Sequence, residues 1–193
     1  MSHPPRKIAI FGGTFDPVHL GHIHLAGLAK AALGLDEVRF LPCRISPHKT
    51  ASIPTSGGDR YEMLRLATAE IPWAVVDDYE LHQPGPSYSF ETAEAMARKF
   101  PAARLFWIMG GDQWEALPRW KHPERLAKTV EFIVLARGDA PQPRDGYRFH
   151  LVHGEHPASA TAIRKVISNS DDALKWLDPA VVNFIQHHRL YRP

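Results

Sequence analysis

Residues 7–22, Lys-Ile-Ala-Ile-Phe-Gly-Gly-Thr-Phe-Asp-Pro-Val-His-Leu-Gly-His, leave this chain few ways to fold. Ile8, Ile10 and Phe11 read as a short buried strand, Gly12 and Gly13 as a turn without Cβ bulk, and residues 19–32 as a helix. A strand that turns on glycine into a helix start aims free backbone N–H groups, and the positive end of the helix dipole, at the space between them. An anion suits that space. His19 and His22 stand three apart, so both imidazoles project toward one crevice, and Gly21 lets a ligand or a neighbouring backbone approach. Imidazoles titrate near neutrality and can bind or protonate phosphate oxygens. Taken alone, the same residues also read as a helix that happens to carry two histidines after a glycine turn.

Apolar runs and helical patterns alternate along the rest of the chain. Val38 and Phe40 mark a strand over residues 37–41, which completes a βαβ unit. Residues 43–58, with Pro47, Pro54 and a Gly pair, read as a long loop at a strand's C-terminal end. Lys49 in that loop can swing onto a phosphate, although by position alone the solvated reading leads. Residues 59–71 predict an amphipathic helix and residues 73–76 a strand; Asp77 and Asp78 then read as solvated or capping groups before metal ligands. After the Pro84-Gly85-Pro86 turn, Ser89 is the predicted N-cap of a helix over residues 90–100, a second helix start open to an anion.

Residues 105–109 are strongly apolar, the predicted central strand, and run into Gly110-Gly111-Asp112, where a carboxylate can reach a ribose hydroxyl. Trp114 and Trp120 fall in a segment broken by Pro118 and Pro123; each reads as core first and as a flat face for a heteroaromatic ring second. Residues 130–136 form another buried strand with Arg137-Gly138 at its mouth, and residues 149–152 a last one. Ser159 and Thr161 can cap a helix whose first turns present Arg164, a fork suited to phosphate oxygens. His150, His153 and His156 fit no strand face, and Pro157 breaks any helix, so a metal reading is set aside. Residues 174–190 are helical, split at Asp178-Pro179.

This order of elements predicts an α/β fold: a doubly wound open parallel sheet, Rossmann-like, with its ligand at the switch point. One domain over residues 1–193 suffices, with C-terminal helices from about residue 159 to 193 packed on it as an extension. A net charge of +2 excludes the basic bias of a dedicated nucleic-acid binder. Cys43 is the single cysteine, which excludes a disulfide framework and a cysteine zinc site. No apolar run approaches the ~20 residues that cross a bilayer, and no leader precedes Ile8, so the expectation is a cytoplasmic chain without a membrane partner. Oligomeric state stays open, a homo-oligomer included.

The run from Gly12 to His22 resembles the H-x-G-H signature of the nucleotidyltransferase superfamily of adenylyl- and cytidylyltransferases. The likeness continues in order through Pro47-His48-Lys49, Pro86-Ser87-Tyr88-Ser89, Gly110-Gly111-Asp112 with Trp120 downstream, Arg137-Gly138, Ser159-Ala160-Thr161-Ala162-Ile163-Arg164 and residues 176–191. Over nearly its whole length the chain is similar to the bacterial nicotinate-nucleotide adenylyltransferase family. That resemblance implies AMP transfer from ATP to nicotinate mononucleotide, giving nicotinate adenine dinucleotide and pyrophosphate, in NAD biosynthesis. It implies a catalytic set of His19, His22, Lys49 and Arg164. Gly12, Gly13, Thr14 and Phe15 would join the histidines on the ATP phosphates, and the Ser159 helix start would join Lys49 and Arg164 as pyrophosphate leaves. Gly110 and Asp112 would serve a ribose and Arg137 the adenylate. Trp120 would stack on the pyridine ring, N–H groups at Ser89 would receive its carboxylate, and Lys49 and Asp112 would also reach the mononucleotide. Mg²⁺ would ride on the ATP phosphates rather than in a protein cage.

The chain departs from the family pattern where Ala160 replaces a serine, Ser89 a threonine and Ser46 a proline. Two alternatives stand beside the main reading: phosphopantetheine adenylyltransferase, and a non-catalytic nucleotide sensor on the same fold.

Overall fold

The alternation of side chains along the strands decides how the chain layers. In this computed structural model, which describes residues 4–47, 53–138, 140–167 and 171–191, the strands are β1 (Lys7–Gly13), β2 (Glu37–Pro42), β3 (Ala74–Val76), β4 (Arg104–Gly110), β5 (Glu131–Ala136) and β6 (Phe149–His153). They form one parallel sheet in the order β3-β2-β1-β4-β5-β6. The helices are α1 (Leu20–Leu33), α2 (Gly57–Thr68), α3 (Ser89–Lys99), α4 (Gly111–Ala116), α5 (Pro123–Thr129), α6 (Ala160–Val166) and α7 (Pro179–His187).

Successive strand residues face opposite sides of a sheet. Ala9, Val38, Phe40, Phe106, Ile108 and Ile133 accordingly pack with Ala26 and Ala29 of α1, Met63 and Leu64 of α2, Ile163 of α6 and Val181 and Ile185 of α7. Ile8, Ile10, Leu41, Trp107, Met109 and Phe132 pack on the other side with Phe90, Ala93 and Met96 of α3, Trp114 of α4 and Leu126 of α5. Because both faces are covered, β4 and β5 are unbroken apolar runs from Leu105 to Met109 and from Phe132 to Ala136, and each buried large side chain contributes roughly 1.5–3 kcal/mol. Strand order reverses between β1 and β4, and their C-terminal ends part to leave the crevice that such sheets use for ligands.

Local chemistry sets the helix starts. Ser56 Oγ accepts from the Asp59 N–H at 3.1 Å ahead of α2, and Asp178 Oδ1 accepts from the Ala180 N–H at 2.8 Å ahead of α7, where Pro179 takes the first position. Several sequence expectations shift. Gly12 and Gly13 are not the turn: both lie inside β1, opposite Leu41 and Pro42. Helix α1 begins at Leu20 with His19 as its N-cap, and α3 begins at Ser89 with Tyr88 in the capping position. The segment read as broken by prolines holds α4 and α5, because Pro123 starts α5, where a missing N–H costs nothing. Asp77 accepts from Arg39 at 2.7 Å and Lys99 at 2.9 Å, an ion-pair role.

One buried cation ties this frame to the connection between β1 and α1. Arg60 of α2 is 1% exposed; its Nε donates to the Thr55 carbonyl and one terminal nitrogen to the Thr14 carbonyl, both at 2.8 Å. Arg60→Met keeps most of the bulk and removes both donors. We expect a loss of about 3 kcal/mol, read as a lower urea midpoint at unchanged slope. A midpoint equal to the parent's would show that the two carbonyls do not depend on the guanidinium.

Candidate active site

Where β1 gives way to α1, residue Phe15 sits at φ 50°, a conformation an aromatic residue rarely adopts. Its ring accounts for that. It meets Phe11, Phe40 and His22 edge-on at 5.6, 6.0 and 5.0 Å between centroids. A Cβ on Gly13 would lie 3.0 Å from the same ring, so Gly13 is required for side-chain packing, not for a turn.

His19 and His22 stack at 3.7 Å with 22° between planes, so both imidazoles do meet in one crevice. The His19 backbone N–H donates to His22 Nδ1 at 3.2 Å, which leaves the ring hydrogen of neutral His22 on Nε2, a donor. His19 is 8% exposed, and its Nδ1 has no hydrogen-bond partner among the described residues. A buried polar atom left unpaired in a cavity wall is a place for a ligand atom. Burial first, and the neighbouring His156 second, push the His19 imidazole down to about 4.

Another part of the cavity wall comes from late in the chain. Ser159 Oγ caps α6 by accepting from the Ala162 N–H at 3.5 Å, and Arg164 donates to the Asp16 carbonyl at 2.5 Å. Gly12, Gly13, Thr14, Phe15, His19, His22, Arg137, Ser159 and Arg164 all line one cavity of about 800 Å³. Asp16 supplies the carboxylate among its described lining residues, while Arg44, Arg137 and Arg164 supply cations. Such a cavity favours a polyanion.

Two further cavities are lined by residues that the sequence singles out. One of about 600 Å³ shares Phe11, Leu25 and Arg137 with the first and adds Gly110, Gly111 and Asp112. The other, of about 280 Å³, is lined by Pro47, Tyr88, Ser89, Arg119, Trp120 and Lys121. Ser89 occupies the first turn of α3, where backbone N–H groups lack intrahelical acceptors. Lys121 Nζ stands 4.0 Å over the Tyr88 ring.

Trp120 thus lines a cavity, while Trp114 is fully buried core against Phe132 and Phe149. Asp112 lies in the cavity with Arg137 and not in the one with Trp120 and Ser89. Lys49 lies outside the described residues. The three late histidines part company: His150 meets Glu131 at 2.8 Å, whereas His156 lines the large cavity beside His19. Arg44, His156, Arg119 and Lys121, with Asp16, Gln113 and Glu115, are among the lining residues that the sequence reading missed. For Arg119 and Lys121 a signal was present, since they flank Trp120 on both sides.

The cytidylyltransferase-like family model matches residues 10–166. A relative from Listeria innocua named "Probable nicotinate-nucleotide adenylyltransferase" is 36% identical over 185 residues, covering 96% of this chain and 97% of its own. One of the same name from Thermus thermophilus is 38% identical over 191 residues, covering 96% and 100%. In three dimensions the chain is similar to the Plasmodium falciparum nicotinic acid mononucleotide adenylyltransferase complexed with NaAD, at a TM-score of 0.80 and 18% identity, covering 96% of this chain and 97% of that one.

The depressed His19 pKa makes a stability prediction with a definite sign. The unfolded chain takes up a proton near pH 6.5 that the folded site refuses until about 4. The folded state is therefore unaffected above 6.5 and loses stability as pH falls through that window, by up to roughly 3 kcal/mol. Urea midpoints measured from pH 7 downward should separate from those of His19→Gln, whose curve falls less steeply. Parallel curves would reject a neutral buried imidazole.

Proposed function

Because the chain belongs to the cytidylyltransferase-like family of nucleotidyltransferases, we propose that it transfers AMP from ATP to nicotinate mononucleotide, releasing pyrophosphate and nicotinate adenine dinucleotide. One observation carries this reading: the stacked His19–His22 pair, with an unpaired buried nitrogen, shares one cation-lined cavity with Arg164 and the Ser159 helix start.

The chemistry asks little covalent work of the protein. The mononucleotide's phosphate oxygen attacks the α-phosphorus of ATP in line, a P–O bond forms, and the bond to the β-phosphate breaks with its electron pair leaving on pyrophosphate. Positioning and neutralisation of charge are what such a transfer needs. His22 Nε2 donates to a phosphate oxygen, the α1 amides and dipole hold the same anion, and Arg164 takes up charge as pyrophosphate departs. Lys49 assists it. Mg²⁺ arrives as part of the MgATP substrate, in keeping with a cavity wall whose described carboxylate, Asp16, is already hydrogen-bonded within the protein.

The remaining cavities suit the two ends of the product. Asp112 and Arg137 would meet the adenosine half. In the smallest cavity Trp120 offers a face to the pyridine ring, and the α3 amides at Ser89, with Arg119 and Lys121, favour a ring that bears a carboxylate. The same reading carries a cytoplasmic reaction on two water-soluble nucleotides. No helix among the described residues is long and apolar enough to cross a membrane.

His22→Ala should lower kcat by on the order of 10²-fold with folding intact, because it removes charge stabilisation at the transition state. Near-normal turnover would remove His22 from the mechanism. Side-by-side kinetics with nicotinate mononucleotide and its amide should favour the acid in kcat/KM. Equal values would defeat the carboxylate pocket, and no pyrophosphate release with either substrate would make the chain a sensor.

A further inference from the structure

We propose that Tyr191 is a positioning residue for the ATP side of the site, acting through Asp16 on Arg164; this rests on the adenylyltransferase reading above. Tyr191 ends the described chain beyond α7, at φ 60°, and Arg189 two residues earlier is at φ 53°. Two residues bearing Cβ in this region fold the tail back on itself. The Tyr191 hydroxyl then donates to Asp16 Oδ1 at 2.6 Å, across 175 positions of sequence. The other oxygen, Oδ2, accepts from the Thr55 N–H at 3.3 Å.

Asp16 is 7% exposed, so its carboxylate depends on these two donors. Its own backbone carbonyl accepts from Arg164. One residue of the β1–α1 connection therefore links the chain's end, the approach to α2 and the α6 guanidinium. Burial, then the bond to Asp16, raises the Tyr191 phenol above its ordinary range, so it stays protonated and donating.

The consequence concerns what Arg164 is free to do. With one terminal nitrogen on a backbone carbonyl, the guanidinium is fixed in plane and keeps its other N–H groups for phosphate oxygens. Were the tyrosine hydroxyl absent, Oδ1 would be a buried anionic oxygen without a donor; Arg60 nearby is held by two carbonyls, whereas Arg164, held by the carbonyl of Asp16 alone, is the cation that can turn onto it. A carboxylate beside a guanidinium pairs with it. The hydroxyl thus keeps Asp16 from competing with substrate for Arg164.

Tyr191→Phe tests this by removing one oxygen atom. We expect the KM for ATP to rise about fivefold and kcat to fall several-fold, with the KM for nicotinate mononucleotide within twofold. Destabilisation alone would lower the active fraction and leave both KM values where they are, so that pattern overturns the proposal, as does parental kinetics. In an Arg164→Lys background the same substitution should change the ATP terms less than twofold. A full effect there would mean that the hydroxyl does not act through Arg164. If Tyr191→Phe does not fold, the double variant Asp16→Asn/Tyr191→Phe, which leaves no buried anionic oxygen without a donor, serves in its place: with no carboxylate to compete for Arg164, its KM for ATP should stay within about twofold of the parent's, and a rise of about fivefold overturns the proposal. Should the parent itself release no pyrophosphate, the activity reading fails, and ATP affinity measured calorimetrically on the same variants still reads the linkage.

Discussion

Two guanidinium groups from separate parts of the chain hold the backbone carbonyls of the connection between β1 and α1. Arg60 of α2 grips Thr14 and Arg164 of α6 grips Asp16. Everything the site does depends on that connection keeping one shape, because it sets where Phe15, His19 and the α1 amides stand. The hydrogen bonds of Arg60 go to carbonyls, not to a carboxylate, so its charge is not cancelled where it sits. The frame that stiffens the loop therefore also adds to the positive field over it. Stability and function draw on the same groups, and neither can be relaxed alone.

That field raises a difficulty which the imidazoles resolve. Packing two cationic rings 3.7 Å apart at the positive end of a helix would be costly. Burial keeps His19 neutral instead, so the cavity carries its excess charge mainly on arginines, whose hydrogen bonds go to backbone carbonyls and leave that charge uncancelled. A phosphate entering the crevice changes the balance from both sides: it supplies an acceptor and an opposite charge, which favours protonation of the ring it meets. The site is preorganised for charge that only the substrate brings.

Much of this was legible in the sequence, for reasons that differ by element. The strands of a parallel sheet buried on both faces are continuous apolar runs, so Leu105 to Met109 and the run ending at Ala136 could be read with little error. The spacing of His19 and His22 pointed to one crevice correctly but for another reason than helix periodicity: His19 is the extended N-cap, and its backbone N–H bond to His22 Nδ1 brings the two rings together. Gly12 and Gly13 misled because glycine marks close approach as readily as a turn; here Trp107 and Phe15 fill the space a Cβ would take. Pro123 misled because proline both breaks and begins helices. Asp16, Arg60 and Tyr191 were illegible for a deeper reason: their partners lie 39, 46 and 175 positions away, and no local pattern encodes that.

The separation between the cavity of His19 and His22 and the cavity of Ser89 and Trp120 follows from one tie between loops. Ser46 lines the first and Pro47 the second, so the segment after β2 forms a wall common to both. It is anchored to the turn before α3. The Arg44 N–H donates to Ser87 Oγ at 3.0 Å, its guanidinium to the Gln83 carbonyl at 2.8 Å, and the Ser87 N–H to the Ile45 carbonyl at 2.9 Å. The turn that positions the Ser89 amides is thereby locked to a wall of the cavity holding His19 and His22. An in-line displacement needs its attacking oxygen placed to within a fraction of an ångström of the right line. Under the proposed reaction, a mononucleotide held by its ring at α3 would present its phosphate at a distance set by this tie, so aim at the α-phosphorus would be decided by loop anchoring far from the reacting atoms.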